Sequence, residues 1–161
     1  MLEQLILYFI QKTKGFITKT QLVKFIYLAD LYSVKWTGKQ ITDLEWYYYH
    51  YGPWQEEIDA ALDRMEGQEI VREPHGNATS IQFNPDFDQT VNVDLPLGLK
   101  LMLDNIQREW AGLSQDKRDG LLEYVYNTAP ILEVKDSYRR DEKVRLDLHK
   151  EREKLIEELQ G

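Results

Sequence analysis

The side chains that could carry out chemistry are few and scattered in this sequence. Its three histidines, His50, His75 and His149, stand far apart and share no metal-binding spacing. The absence of cysteine excludes thiolate catalysis, disulfides and zinc sites built on sulfur. The sequence also lacks the signatures of glycine-rich phosphate-binding loops and of the nucleophile elbow of hydrolases. We therefore expect no cofactor and no catalytic residues.

One acidic group is a candidate for metal chemistry. Glu56, Asp59 and Asp63 stand three to four residues apart, which places them on the outer side of one helix. Such a stripe could collect a divalent cation and support a hydrolase, but hard-cation sites normally draw their ligands from converging loops. An outward acidic stripe usually faces water. The sequence thus predicts a protein that is not an enzyme and holds no metal.

Composition and charge narrow the class of protein further. The 161 residues suffice for one domain of ordinary size. The formal net charge is −8, and it resides in residues 1–134, where 20 acidic residues outnumber 12 basic ones. Because an acidic body repels phosphate backbones, this charge argues against binding to nucleic acid. No apolar run has the length of a membrane span and no signal peptide is apparent, so we expect a cytoplasmic protein.

The elements that position these residues are predicted to be mainly helical. Apolar residues at helical spacing indicate five helices, with a β-hairpin between the third and the fourth. Gly52 and Pro53 are expected to open the third helix, because proline suits the first helical position. The hairpin strands are expected at residues 69–73 and 79–83, on either side of a turn-forming PHGNA sequence. The predicted fold class is α+β: a compact helical domain with a small β-hairpin.

The order of these elements suggests a second function. Helix, helix, short strand, helix and hairpin is a winged-helix-like element order, so a winged-helix-like DNA-binding regulator is the alternative reading. In such proteins the third helix enters the major groove. Here that helix carries five acidic residues against Arg64 alone. Phosphate would be repelled by this face, so DNA binding is the weaker hypothesis.

The most unusual stretch is WYYYHYGPW, residues 46–54, which contains six of the nineteen aromatic residues. In an extended strand alternate side chains point to opposite faces, so at least one aromatic face must be buried. Tyrosine and tryptophan are also enriched at the hot spots of protein interfaces. The candidates for contact with a partner are Tyr48, His50 and Trp54. Core packing around the turn is the alternative role of the segment, expected for Tyr47, Tyr49 and Tyr51.

Residues 135–161 are expected to form a charged C-terminal helix or tail beyond a domain of residues 1–134. They contain eight residues of each sign. Pairs of opposite sign four residues apart support a solvated helix. Those pairs are Asp136 with Arg140 and Asp141 with Arg145. A thin apolar stripe could dock on the body, pair with a second copy as a short coiled coil, or remain solvated, and docking is favoured. The stripe consists of Val144, Leu148, Leu155 and Leu159.

Residues 22–62 resemble the signature of the Panacea domain, which is found in SocA-like antitoxins and GepA-type phage-associated proteins. Residues 22–29 are similar to the family's LQKLLYLA pattern and residues 38–42 to its G-x-P-I-T step. Tyr51, Gly52 and Pro53 match its YGP motif. Residues 121–130 resemble the last core helix, which often ends in a T-H…P-W element whose histidine and tryptophan are absent here. The resemblance spans roughly residues 5–132.

The resemblance implies a non-enzymatic antitoxin of a bacterial or phage toxin–antitoxin system. Such a module neutralises a cognate toxin by direct binding, and one type of member delivers its toxin to a protease as an adaptor. A homodimer formed through the C-terminal helix is the alternative partner interaction. The resemblance also implies structural roles for the family-motif residues. These are Tyr27, Tyr51, Gly52, Pro53 and Pro130.

Overall fold

The structure, a computed structural model, describes residues 1–88, 95–112, 114–136 and 142–161. Within these ranges it contains seven helices and five short strands, which confirms the mainly helical α+β class. The helices are α1 (Leu2–Thr13), α2 (Lys19–Thr37), α3 (Glu56–Met65), α4 (Leu97–Trp110), α5 (Gln115–Tyr126), α6 (Ala129–Val134) and α7 (His149–Gln160). The strands are β1 (Tyr47–Tyr49), β2 (Gly52–Trp54), β3 (Ile70–His75), β4 (Ala78–Phe83) and β5 (Val144–Arg145).

Helix α2 is the central element and contacts α1, α4, α5 and α7. It begins with a capping box, in which the Thr18 side chain accepts from the Gln21 backbone N–H at 3.2 Å and the Gln21 side chain accepts from the Thr18 N–H at 3.0 Å. It ends at Gly38, whose φ of 82° a residue with a side chain adopts only at a cost. Eleven of its nineteen residues are buried. The four helices that contact α2 are therefore positioned by packing against it.

The YGP segment does not open a helix, contrary to the sequence-based expectation. Gly52, Pro53 and Trp54 form β2, which pairs with β1 in antiparallel register, and α3 begins only at Glu56. Gln55 caps that helix, because its side chain accepts from the Glu57 N–H at 2.9 Å. Proline is compatible with an edge strand, and β2 is an edge of the β2-β1-β5 sheet.

The hairpin of β3 and β4 lies where the sequence places it. Its register runs from Ile70 opposite Phe83 to His75 opposite Ala78. The link between α1 and α2 joins its outer edge, since the Ile81 N–H donates to the Ile17 carbonyl at 3.0 Å. Helix, helix, strand, helix and hairpin thus follow one another in the expected order, with β2 as an additional strand.

The C-terminal residues do not form one continuous helix. Residues 137–141, and with them Arg140 and Asp141 of the predicted ion pairs, lie outside the described part of the chain. Strand β5 then pairs with β1, and α7 packs against α2 and α6. Leu148 is buried against the body, whereas Leu159 is 76% exposed. Part of the apolar stripe that a coiled coil would need is therefore used within the chain.

No helix in the described ranges is both long enough and apolar enough to cross a membrane.

Candidate functional site

A tight turn joins β1 to β2 and forms the centre of the candidate site. Tyr49 pairs with Gly52, so His50 and Tyr51 alone make the turn, and both have positive φ, at 51° and 63°. Two-residue hairpin turns with this backbone strongly favour Asn-Gly, because a side chain costs about 1–2 kcal/mol in the left-handed region. The other hairpin has a loop of the same length and uses Gly76 for its positive φ. Strain of this kind is concentrated at functional sites.

The turn presents a group of aromatic rings, which we call the aromatic turn: Tyr49, His50, Tyr51 and Trp54. The Tyr49 and His50 rings are stacked, with centroids 3.8 Å apart and planes 14° apart. The Trp54 ring meets Tyr49 edge-on at 5.5 Å. Tyr51 is 55% exposed and His50 is exposed as well. The aromatic turn therefore forms a preformed and partly exposed aromatic surface.

Strand β5 brings positive charge to the aromatic turn. The Lys143 ammonium lies 4.2 Å from the Trp54 ring centroid and 5.5 Å from that of Tyr49. Contacts of this type contribute roughly 0.5–1 kcal/mol at exposed sites. Lys143 was not predicted to lie here, because it belongs to the charged C-terminal stretch and only the pairing of β5 with β1 brings it to the turn.

Two of the three expected partner contacts lie in the aromatic turn, and one does not. His50 is exposed and Trp54 is half-buried. Tyr48 is only 4% exposed and packs edge-on against Tyr126, so it is unavailable to a partner. The reason is strand alternation, because Tyr48 shares its face with the fully buried Trp46.

Tyr51 differs from its prediction in the opposite direction, because it is more exposed than expected. It was expected to pack in the core around the YGP turn, but its position at the tip of the hairpin leaves 55% of it exposed. Its neighbours Gly52 and Pro53 are buried beneath it. Tyr47 and Tyr49 are half-buried on the outer face of β1.

A buried carboxylate, which the sequence analysis missed, holds the loop that leads into β1. Asp30 on α2 accepts hydrogen bonds from the backbone N–H groups of Ile41 at 3.0 Å and Thr42 at 2.9 Å. It also accepts from the Trp46 indole at 2.9 Å, the Gln40 amide at 3.1 Å and the Thr42 hydroxyl. Burial raises the pKa of Asp30, and these hydrogen bonds oppose the rise. The available signal was an aspartate on the apolar face of α2, four residues after Ile26.

The remaining family-motif residues lie behind the site, in the core. Tyr27 is fully buried, its hydroxyl lies 2.9 Å from the Thr128 hydroxyl, and its ring meets Trp46 edge-on at 5.4 Å. Burial raises the pKa of Tyr27. Pro130 is buried in the first turn of α6, two residues after Thr128, which is the N-cap of that helix. The motif tyrosine of α2 thus contacts the N-cap of α6 and the buried Trp46 in the core.

The acidic stripe on α3 is not arranged as a cluster of converging ligands. Asp59 is paired with Lys19, and Asp63 accepts from Arg72 at 2.9 Å. Across the residues that the structure describes, no group of three or more histidine or carboxylate side chains converges on a point where a metal ion could bind. Asp59 and Asp63 are instead paired with cations of neighbouring elements.

A cleft of about 430 Å³ opens beside the aromatic turn. The turn forms one wall, Leu122 and Tyr126 of α5 form another, and α2 contributes Lys19 and Lys24. Its size is that of a site for a small ligand or for one or two side chains of a partner.

Comparison with known proteins gives one result. The family model described as antitoxin SocA-like, Panacea domain, matches residues 22–159. This match confirms the resemblance seen in the motifs, and it extends through α7, beyond residue 132 where the resemblance ended. No curated protein and no solved structure matches the chain.

Proposed function

Since the chain belongs to the Panacea-domain family of SocA-like antitoxins, we propose that it is a protein-binding module that neutralises a cognate toxin by direct contact. The module performs no reaction of its own. Its cognate toxin belongs to a bacterial or phage toxin–antitoxin system, and the aromatic turn provides its binding surface.

The strained, exposed aromatic turn is the observation that supports this binding surface. His50 and Tyr51 occupy left-handed positions that glycine or asparagine would fill at lower cost. Their side chains must therefore contribute something other than stability. Tyrosine and tryptophan supply large contact areas at little cost in conformational entropy, which is why they dominate interface hot spots.

Co-expression with the product of a neighbouring open reading frame tests the proposal. We expect the chain to restore growth and to co-purify with that product. Tyr51→Ala and Trp54→Ala should each weaken the complex about tenfold or more, as hot-spot truncations do. Trp36→Ala is the matched control, because Trp36 is 58% exposed at the end of α2, outside the aromatic turn, and its loss should leave affinity unchanged. Absence of a complex with every neighbouring product would reject the proposal.

A further inference from the structure

Lys24 lines the cleft beside the aromatic turn, and no side chain of opposite charge is described as its partner. Its side chain is half-buried, and within the described ranges it has neither an ion pair nor a hydrogen bond. The cleft's one carboxylate, Asp59, is already paired with Lys19. Burial lowers the pKa of Lys24 to about 8, and no neighbouring charge offsets the effect.

The cleft therefore has a local charge opposite to that of the whole chain. The chain carries −8, whereas the cleft is lined by two lysines against one carboxylate, Asp59. A smaller depression that shares Lys24 with the cleft adds Arg118 and Asp119, one charge of each sign. An anionic group is the complement that Lys24 lacks.

The other walls of the cleft are apolar or aromatic. Its apolar and aromatic lining consists of Val23, Pro53, Trp54, Leu122 and Tyr126, together with the rings of the aromatic turn. An inorganic anion would leave these surfaces uncovered, whereas a peptide can cover them with a large apolar side chain next to its carboxylate. A nucleic acid strand would meet the acidic residues of α3 next to the cleft.

We propose that this cleft receives an acidic segment of the partner protein, in which an aspartate or glutamate pairs with Lys24 and an adjacent large apolar residue packs against Trp54 and Leu122. This inference rests on the proposed function, since it specifies the chemistry that the toxin must bring to the aromatic turn. Lys24 orients the bound segment and selects for its negative charge, and the aromatic turn supplies contact area.

Two peptides that differ in one charge test the proposal on the full chain. The probes are acetyl-Ala-Phe-Glu-Leu-Ala-amide and its glutamine counterpart, followed by NMR of the Lys24 side chain and the Trp54 indole. The glutamate peptide should perturb both groups, raise the pKa of Lys24 and bind about fivefold or more tightly than the glutamine peptide, as expected of a charged hydrogen bond. Equal binding of the two peptides, or no perturbation at about 10 mM, would overturn the proposal.

Matched variants identify the cation responsible. Lys24→Met keeps the aliphatic stem and removes the charge, so it should abolish the preference for glutamate. Lys39→Met, at an exposed lysine outside the cleft, should retain it. Inorganic phosphate at the same concentration should leave the Trp54 indole unperturbed. If phosphate perturbs both groups as strongly as the peptide, the cleft is a site for free anions and the proposal is overturned.

The toxin complex separates this inference from the proposed function. Lys24→Met should weaken the complex about tenfold, because it removes a half-buried charge pair. If the complex forms with unchanged affinity in Lys24→Met, the proposed function stands and this inference fails. If the wild-type chain forms no complex with any neighbouring product, the proposed function fails, whatever the peptides show.

Discussion

Two charged side chains on α2 lie away from bulk water, and their surroundings compensate them differently. Asp30 accepts five hydrogen bonds from the loop that leads into β1. Lys24, six residues earlier, has no such partner in the part of the chain that the structure describes. A buried charge with a full set of partners organises the structure around it, whereas one without partners costs stability and favours a ligand that supplies the missing charge.

Replacement of Asp30 by asparagine should destabilise the protein by about 2–4 kcal/mol. The amide that replaces one carboxylate oxygen would place a donor among the donors of Thr42, Gln40 and Trp46. Urea unfolding measures the loss. Asp43→Asn is the control, because Asp43 is exposed in the same loop and should change stability by less than about 0.5 kcal/mol. An Asp30→Asn variant as stable as the wild type would contradict the account of this loop.

Replacement of Lys24 by methionine should stabilise the protein near pH 7, by about 1–3 kcal/mol. Below pH 8 the folded and unfolded states both carry the proton, and only the folded state bears the cost of desolvation. Between the folded pKa of about 8 and the ordinary value of 10.5, the folded state releases the proton first, so wild-type stability rises with pH. The advantage of Lys24→Met should therefore shrink across this window. Thermal unfolding at pH 7 and pH 10 checks this, and an advantage that is independent of pH would refute it.

The two β-hairpins of the protein have loops of equal length but different residues. The β3–β4 loop uses Gly76 for its positive φ, whereas the β1–β2 loop uses His50 and Tyr51. The β3–β4 hairpin therefore has the more stable turn, whereas the β1–β2 hairpin keeps two large side chains at a cost in backbone energy.

Replacement of His50 and Tyr51 together by Asn-Gly should separate stability from binding. We expect a gain of about 1–2 kcal/mol in the free energy of unfolding, since the backbone strain is relieved. Affinity for the toxin should fall at the same time, because the Tyr51 contact area is lost. Thermal unfolding and titration calorimetry measure the two effects. Loss of stability, or unchanged affinity, would contradict the assignment of the turn.

The C-terminal segment is predicted to stabilise the sheet that carries the aromatic turn. Deletion of residues 142–161 removes β5 from β1 and the buried Leu146 and Leu148 from the core. The cost should be at least about 3 kcal/mol, from the burial of these two leucines alone. Deletion of residues 157–161, which are exposed, is the control and should have little effect. Equal stability of the two truncated chains in urea would contradict this role.

At the scale of the whole molecule, charge opposes the DNA-binding alternative. The net charge is −8, and α3, the helix that would enter the major groove, has three acidic residues in its first turn. A mobility-shift experiment at roughly 150 mM salt should show no binding to a mixed-sequence duplex. Binding that weakens steeply with added salt would overturn the charge argument.

The parts of this structure that local sequence patterns determine were predictable, and those that depend on distant pairing were not. The capping box of α2 and the β3–β4 hairpin follow from residues close together in the chain. Strand β2 was predicted as the start of a helix, because its identity depends on pairing with β1. Strand alternation places Tyr48 on one face with Trp46, but which face of β1 is buried depends on tertiary packing. The position of Lys143 follows from the β2-β1-β5 sheet, to which residues 144 and 145 contribute from almost a hundred residues away.

Hydrogen–deuterium exchange of the free chain and of its complex with the toxin tests the central claim most directly, because it locates the surface that binds. The account predicts slower exchange on binding in residues 47–54 and in residues 19–24, four of which line the adjoining cleft. Protection confined to α3 and the β3–β4 hairpin, with residues 47–54 unchanged, would contradict it.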